Sequence, residues 1–394
     1  MWLNSCLVND SMPIYLDHNA STPIDPIVLE TLIRVSRDVY GNASSVEHGY
    51  GNLASKEVET AREIIANVIG CRPPEIIFTS GSTEANNLAI LGVFPHLKET
   101  GRTHIITSQI EHPSVLACFD YLERQGASVT RLSVNHEGVI SLDELKACLT
   151  EKTGFVSVMA ANNETGVLQP IYELGKLCEE VGALFHTDYS QATAYIPIDL
   201  AASPIHLASF SGHKAYGPKG IGVLYRSLRK PRVSLESILK GGGQEKGLRS
   251  GTYNTPAIAA LGISFELIGS QILADRENLT LLRDTLQTSL IMKIPDLSVN
   301  GAKGPRLPNT LSLSIKGVEP LALMQTMREH AIFSASSACS SGKVDTSHVL
   351  KAMYGNTERA NTAFRIGLGR NNINLDVETL SNLFYEACQR LKAY

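Results

Sequence analysis

Leu207-Ala-Ser-Phe-Ser-Gly-His-Lys-Ala-Tyr-Gly-Pro-Lys-Gly220 is the stretch that decides the fold. Residues 207–211 have the length and small apolar character of a buried strand, and the turn Ser-Gly-His that follows would end it. The turn delivers Lys214 among apolar and glycine-rich flanks. A lysine is ordinarily a solvated surface charge, so these surroundings favour a chemical role. The same pattern recurs outward from this point. A strand over 75–79 runs into Ser80-Gly-Ser-Thr83, and one over 104–108 precedes Glu111-His112-Pro113. One over 155–160 precedes Asn162-Asn163-Glu164, one over 183–187 ends at Asp188, and 220–225 makes a sixth. Residues 54–69 carry Val58, Ala61, Ile65 and Val68 at helical spacing.

Strands alternating with helices imply an α/β fold with a mostly parallel sheet covered on both faces. Ligands in such sheets bind beyond the carboxyl ends of the strands, where these polar clusters would converge. They suit pyridoxal 5′-phosphate (PLP), which needs a lysine for a Schiff base, an acid for the pyridinium nitrogen, a phosphate cradle and a cover for the ring. Lys214 and Asp188, one βα unit apart, fit the first two needs. Ser80-Gly-Ser-Thr83 before a helix start fits the third, because a helix N-terminus presents free amides to an anion. His112 could lie flat on the ring. Taken singly, Asp188 and Ser80–Thr83 also suit plain helix caps.

Composition excludes several classes. The 394 residues are 43% hydrophobic and 19% charged, enough for a large core and two domains. A net charge of −4 gives no basis for a nucleic-acid or membrane surface. No apolar run is expected to cross a bilayer, and residues 1–11 lack the basic start of a secretory signal. The seven cysteines are scattered, odd in number and without a CxxC pair. No disulfide framework or metal site is expected, and a reducing cytoplasm is. Residues 1–11 read as a mobile extension, since Met12 opens a more orderly segment. A helical stretch from about 256 to 290 should contain the boundary to a smaller C-terminal αβ region.

The ordered set of strings resembles the fold-type-I PLP enzymes, and among them the cysteine desulfurases of the NifS/IscS type in the class-V aminotransferase family. The strings are Tyr-Leu-Asp-His-Asn-Ala-Ser-Thr-Pro (15–23), Phe-Thr-Ser-Gly-Ser-Thr-Glu (78–84), Glu-His (111–112), Asn-Asn-Glu-Thr-Gly (162–166) and His-Thr-Asp-Tyr-Ser-Gln (186–191). They continue with the opening stretch, Gly-Gly-Gly-Gln-Glu (241–245), Arg-Ser-Gly-Thr (249–252), Ser-Ser-Ala-Cys (336–339) and Arg-Ile-Gly-Leu-Gly-Arg (365–370). The resemblance implies a seven-stranded sheet in a large domain over 26–265, a small domain over 266–394 and a segment over 12–25 packing with it. It implies that Lys214 carries PLP, Asp188 meets the ring nitrogen, Gln191 reaches the ring hydroxyl and His112 stacks. Thr83, Ser211, His213 and the Ser82 amide would bind phosphate, with Thr252 reaching the phosphate of a partner subunit in a homodimer. Arg365, with Asn163, would grip the substrate carboxylate, and Asn42 belongs to the same site.

Cys339 is the nucleophile that the resemblance implies. It lies in Ser334-Ala-Ser-Ser-Ala-Cys-Ser-Ser-Gly342, all small residues, and the stretch from Cys339 to Leu350 resembles the long mobile loop of the NifS/IscS group. The activity implied is removal of sulfur from L-cysteine as a Cys339 persulfide, with alanine released. The sulfur then passes to an acceptor protein in iron–sulfur assembly, tRNA thiolation or DNA phosphorothioation. Ala43 and Ala335 replace a common proline and glycine of the family, and the end at Tyr394 lacks a tail that scaffold-dedicated members often carry. Selenocysteine lyase and a non-catalytic scaffold are the alternatives. Ser211-x-x-Lys214 also matches the SxxK of serine acyl enzymes, but the Ser-Asp-Asn element those need is missing.

Overall fold

The computed structural model describes residues 12–335 and 346–393. Among the described residues, thirteen strands form three sheets. β1 (Ile14–Tyr15) pairs in parallel with β11 (Ala331–Ile332). β2 (Ile76–Thr79), β3 (His104–Ser108), β4 (Ser128–Leu132), β5 (Thr153–Ser157), β6 (Leu184–Asp188), β7 (Leu207–Ser211) and β8 (Gly222–Arg226) form a seven-stranded sheet, ordered β2-β8-β7-β6-β5-β3-β4. Only β8 runs against its neighbours. The carboxyl ends of the other six strands therefore share one rim. A third sheet has β9 (Leu297–Val299), β10 (Thr310–Ile315), β12 (Ser334–Ala335) and β13 (Ala363–Gly367), all antiparallel.

Successive side chains on a strand face opposite ways, and the large sheet uses both. Ile77, Ile105, Phe155, Leu184, Leu207 and Leu224 pack on one face with α3 (Ser82–Glu99) and α4 (Pro113–Arg124). Ile76, Phe78, Ile106, Val156, Phe185, Ala208, Val223 and Tyr225 join the larger core with α2 (Gly49–Val68). The expected α/β sandwich of a mostly parallel sheet is thus the observed architecture. α1 (Pro26–Asp38) and α2 rest on α7 (Thr255–Lys293), while α5 (Leu142–Cys148) and α6 (Ile171–Glu180) complete the crossovers. α8 (Pro320–Met327), α9 (His348–Tyr354), α10 (Glu358–Asn361) and α11 (Val377–Lys392) surround the antiparallel sheet.

Four expectations need correction. The strand expected at 155–160 is Thr153–Ser157: β3 ends with Ser108, so beyond Ser157 the chain keeps β6 alone, through Val158 N–His186 O (3.1 Å) and Ala160 N–Asp188 O (2.9 Å). The strand that the six named ones leave out, β4, is a half-exposed edge whose Ser-Val-Thr-Arg-Leu carries little apolar signal. α7 contains a stretch long and apolar enough to cross a membrane, contrary to the expectation that none exists. Its apolar residues Ile258, Leu261, Phe265 and Ile268 are buried in the core. Finally, the loop expected from Cys339 to Leu350 ends sooner, because Val349 and Leu350 are buried in α9. Cys339 itself and the extension expected over 1–11 lie outside the described residues.

Candidate active site

The sequence places Lys214 one turn past the end of β7, within the short helical turn Gly212–Lys214. Its Nζ donates to the carbonyls of Asn19 and, at 3.0 Å, Ala20. That segment is held by the antiparallel sheet: the Asp17 backbone bridges Gly367, and His18 Nδ1 lies 3.1 Å from the Gly367 carbonyl. Glycine at 367 and 369 is a steric necessity, since a Cβ at Gly369 would stand 2.1 Å from His18 Cδ2, and one at Gly367 would stand 2.3 Å from Asn19 Oδ1. Gln191 joins the same group, donating through Nε2 to the Asn19 carbonyl at 3.0 Å.

Asp188 ends β6 on the same rim, 7% exposed. Its Oδ1 accepts from Ser190 N (3.0 Å) and Oγ (2.5 Å), and its Oδ2 accepts from Asn86 Nδ2 at 2.8 Å. Asn86 also donates to Ser114 Oγ (2.9 Å), which sits 2.8 Å from His112 Nδ1. A hydrogen-bonded chain therefore links Asp188 to His112. Asn86 is a residue that sequence reasoning missed; its place one helical turn after Thr83 was the available signal. His112 caps α4 and accepts from Ser114 N at 3.2 Å. Burial lowers its pKa, helped by the charges of Lys214 and His348 and opposed by Asp188. The imidazole is thus neutral at pH 7. Its neighbour Glu111, also missed, is fully buried, accepts from Met159 N (3.0 and 3.1 Å) and Ser108 Oγ, and is pushed up to about 8 by burial.

A cavity of 340 Å³ is lined by Ser80, Ser82, Thr83, Ser211, Gly220, Ala20 and His213, the last the chain neighbour of Lys214, among others. The first turn of α3 opens on it, and its N-cap residue Gly81 makes no side-chain capping bond. Ser211 Oγ is buried with no hydrogen-bond partner among the described residues. Burial, with Lys214 and Lys219, pushes His213 down to about 4. Open helix amides, the hydroxyls of Ser80, Ser82 and Thr83 and the unpaired buried hydroxyl of Ser211 make an anion cradle.

Arg365, in the middle of β13, is 5% exposed. Its Nη1 donates to the Asn163 carbonyl (2.8 Å), its Nη2 to Asp17 Oδ1 (2.6 Å), and its Nε has no partner among the described residues. Asn162 shapes the turn that presents Asn163, its Oδ1 accepting from Glu164 N and Thr165 N at 2.9 Å each. Two residues stand apart in this single chain. Thr252 is exposed in the loop after Arg249 and does not line the cavity. Asn42 is exposed between α1 and α2, where its Oδ1 accepts from Ser44 N at 3.0 Å.

The Aminotransferase class-V family matches residues 14–380. The chain belongs to the class-V aminotransferase family. Within that family it is 42% identical over 390 residues to a protein named cysteine desulfurase IscS from Rickettsia akari (strain Hartford), covering 99% of this chain and 94% of that one. A solved NifS-like protein superimposes with a TM-score of 0.88 at 35% identity, over 96% of this chain and all (100%) of the other. DndA from Streptomyces lividans does so with 0.77 at 37% identity, over 90% and 99% of the two chains. The expected likeness to the NifS/IscS type is borne out. PLP is the group this class-V fold implies, and the site suits it: the cradle matches a dianionic phosphate, and a carboxylate held by three donors stands at the rim where a pyridinium nitrogen would need one.

Proposed function

We propose that the chain is a PLP-dependent cysteine desulfurase, in which L-cysteine and the Cys339 thiol give L-alanine and a Cys339 persulfide. One sulfur atom changes carriers. The S–H proton and the thiol hydrogen are retained between the two products, so no oxidant is needed. The convergence of Lys214, Asp188 and His112 beside the anion cradle carries this reading. PLP, when bound, supplies an electron sink for charge that develops at the substrate α-carbon.

The chain's own residues do the rest. Lys214 would carry the cofactor and take the α-proton on Nζ, while Asp188, fixed by Asn86 and Ser190, would keep the ring nitrogen protonated. The neutral His112 ring is suited to cover the cofactor face without repelling its protonated nitrogen. Gln191 would reach the ring hydroxyl; the Ser82 amide, Thr83, Ser211 and His213 would take the phosphate. Arg365, with one guanidinium nitrogen lacking a partner among the described residues, would grip the substrate carboxylate, with Asn163 beside it.

Burial pushes the thiols of Cys71, Cys118 and Cys178 up to about 12 and that of Cys388 to about 11. A nucleophilic cysteine needs the opposite, which counts against these four. The active unit is a cytoplasmic homodimer with no membrane or direct nucleic-acid partner. Exposed Thr252 would complete the partner's phosphate site, and exposed Tyr40, Val46, Tyr50 and Leu53 near Asn42 offer an apolar face for it. The persulfide sulfur goes to an acceptor protein, as in iron–sulfur assembly.

Two variants test the assignment. Lys214→Ala should abolish both an absorbance at roughly 400–420 nm, the range of a lysine-bound PLP, and alanine production. Cys339→Ser should keep the absorbance and stop persulfide formation. Full activity of Lys214→Ala without added amine, or a persulfide mapped by mass spectrometry to Cys118 or Cys178, would reject it.

A further inference from the structure

Arg249 and Glu84 form a two-pronged ion pair beside the anion cradle. Arg249 Nε donates to Glu84 Oε1 at 2.8 Å, and its Nη2 donates to Oε2 at 3.2 Å. The second oxygen also accepts from Ser80 N at 2.8 Å. The two side chains are 22% and 11% exposed, so solvent ions screen the pair weakly. Arg249 comes from a loop that is already anchored. Four residues earlier, Glu245 accepts from Arg62 on both oxygens, at 3.0 and 2.8 Å, and from Phe78 N at 3.2 Å. That anchor holds Glu245 and Lys246 in left-handed backbone, with φ of 49° and 56°, a conformation uncommon outside glycine. A second staple so close by adds little to the fold.

The position of Glu84 gives the pair another use. Glu84 lines the same 340 Å³ cavity as Ser82, Thr83 and Ser211. An acid in the first turn of a helix is ordinarily favourable, because it meets the positive end of the dipole. Here the same helix end opens on a cradle where the buried Ser211 Oγ lacks a partner among the described residues. A phosphate and a carboxylate would then share one site. Burial pushes the Glu84 carboxyl up, but the bonds from Arg249 and Ser80 outweigh burial and hold it below its ordinary value. Glu84 is therefore charged at pH 7. Among the described residues that line the cavity, Lys219 is the other charge, since His213, pushed down to about 4, is neutral. Lys219 and Glu84 cancel. Without Arg249 the lining would offer no net charge to a dianion.

Arg249 does not line this cavity. It lines a smaller one that shares Ser80 and Gly220 with it, and so reaches the cradle through Glu84. We propose that Arg249 is a positioning residue that neutralises Glu84, so that the N-terminus of α3 can take the cofactor phosphate. This rests on the PLP reading of the site and deepens it. Arg249 thus serves the cradle of its own chain, whereas Thr252, three residues on, is proposed to serve the partner's.

The experiment compares PLP with pyridoxal, which lacks the phosphate. Full-length wild type, Arg249→Gln, Arg249→Lys, Glu84→Gln and the double variant Glu84→Gln/Arg249→Gln are equilibrated with graded amounts of either aldehyde. Binding is read from the absorbance of the lysine-bound form. Arg249→Gln should weaken PLP about tenfold, the effect of one unopposed charge near the phosphate, and leave pyridoxal unchanged. Arg249→Lys, which keeps the charge, should stay within about threefold of wild type. The double variant should also return PLP to within about threefold, because neither glutamine repels the phosphate. Glu84→Gln alone leaves Arg249 unopposed and should bind PLP more tightly than wild type, which tests the charge even where Arg249→Gln does not fold. Wild-type PLP affinity in Arg249→Gln overturns the proposal. So does an equal loss of PLP and pyridoxal, a double variant as weak as Arg249→Gln, or Glu84→Gln that binds PLP no more tightly than wild type. Wild-type protein that gives no lysine-bound absorbance with PLP would instead reject the PLP reading itself.

Discussion

At the scale of single residues, the site is built from polar groups that the interior makes expensive. Glu164 is the sharpest case. Burial lifts its pKa from 4.5 to about 7, against the pull of the Ser347 hydroxyl and Arg365. Between those two values the folded protein holds a proton that the unfolded chain has released. The native state then binds more protons, so stability falls as pH rises through the window, by up to about 3 kcal/mol from this group. Glu164→Gln should remove that part of the slope. In urea unfolding at pH 5 and pH 7.5, the variant should gain stability relative to wild type at the higher pH; parallel behaviour of the two proteins would refute the assignment. Glu111, pushed up to about 8, keeps its own contribution in both proteins. By contrast His186, inside the His-Thr-Asp string, is a core residue. Its ring nitrogens meet Ser157 Oγ (2.8 Å) and Ser209 Oγ (3.0 Å), and burial pushes it down to about 4.

At the scale of elements, strand ends place the chemistry, and contacts far apart in sequence align it. The turn after β13 depends on a missing side chain. Gly369→Ala would drive a Cβ into the His18 ring at 2.1 Å, an overpacking that costs about 1–3 kcal/mol. Because His18 adjoins the Asn19 and Ala20 carbonyls that hold Lys214, the same variant should retain less PLP, measured by absorbance against protein after dialysis. Unchanged unfolding midpoint and unchanged PLP content would show that His18 can step aside. The strands that carry Lys214, Asp188 and His112 were legible because each is a short apolar run closed by a polar cluster. β4 was not, since an edge strand needs no continuous apolar run. Asn86, Asp17 and Glu164 were illegible for a different reason. Each acts through a partner 28 to 348 residues away, and no local pattern encodes such a pairing.

At the scale of the molecule, one chain leaves Thr252 and Asn42 facing solvent, and a second copy is proposed to take Thr252 to its phosphate site. Placing charges on the apolar face with Val46→Asp and Leu53→Asp, at residues 72% and 54% exposed, should shift the protein to a monomer in light scattering and abolish turnover. A wild-type monomer with full activity at low concentration would refute the shared site. The family resemblance alone suggests a shared arrangement; the residues of one chain do not reveal it.

The segment around Asp17 has a consequence for the order in which the protein can assemble. Its backbone is pinned by β11 and by Gly367, yet its carbonyls at 19 and 20 hold Lys214. Residues made near the beginning of synthesis thus wait for residues 331–367 before they can settle. The ribosome must deliver the chain as far as Gly367 before the lysine's surroundings exist. Long-range closure of this kind is slow, and the seven-stranded sheet can form while its functional rim is still open. A nascent chain released early would carry a folded sheet and no working pocket, and would have nothing with which to hold the proposed cofactor.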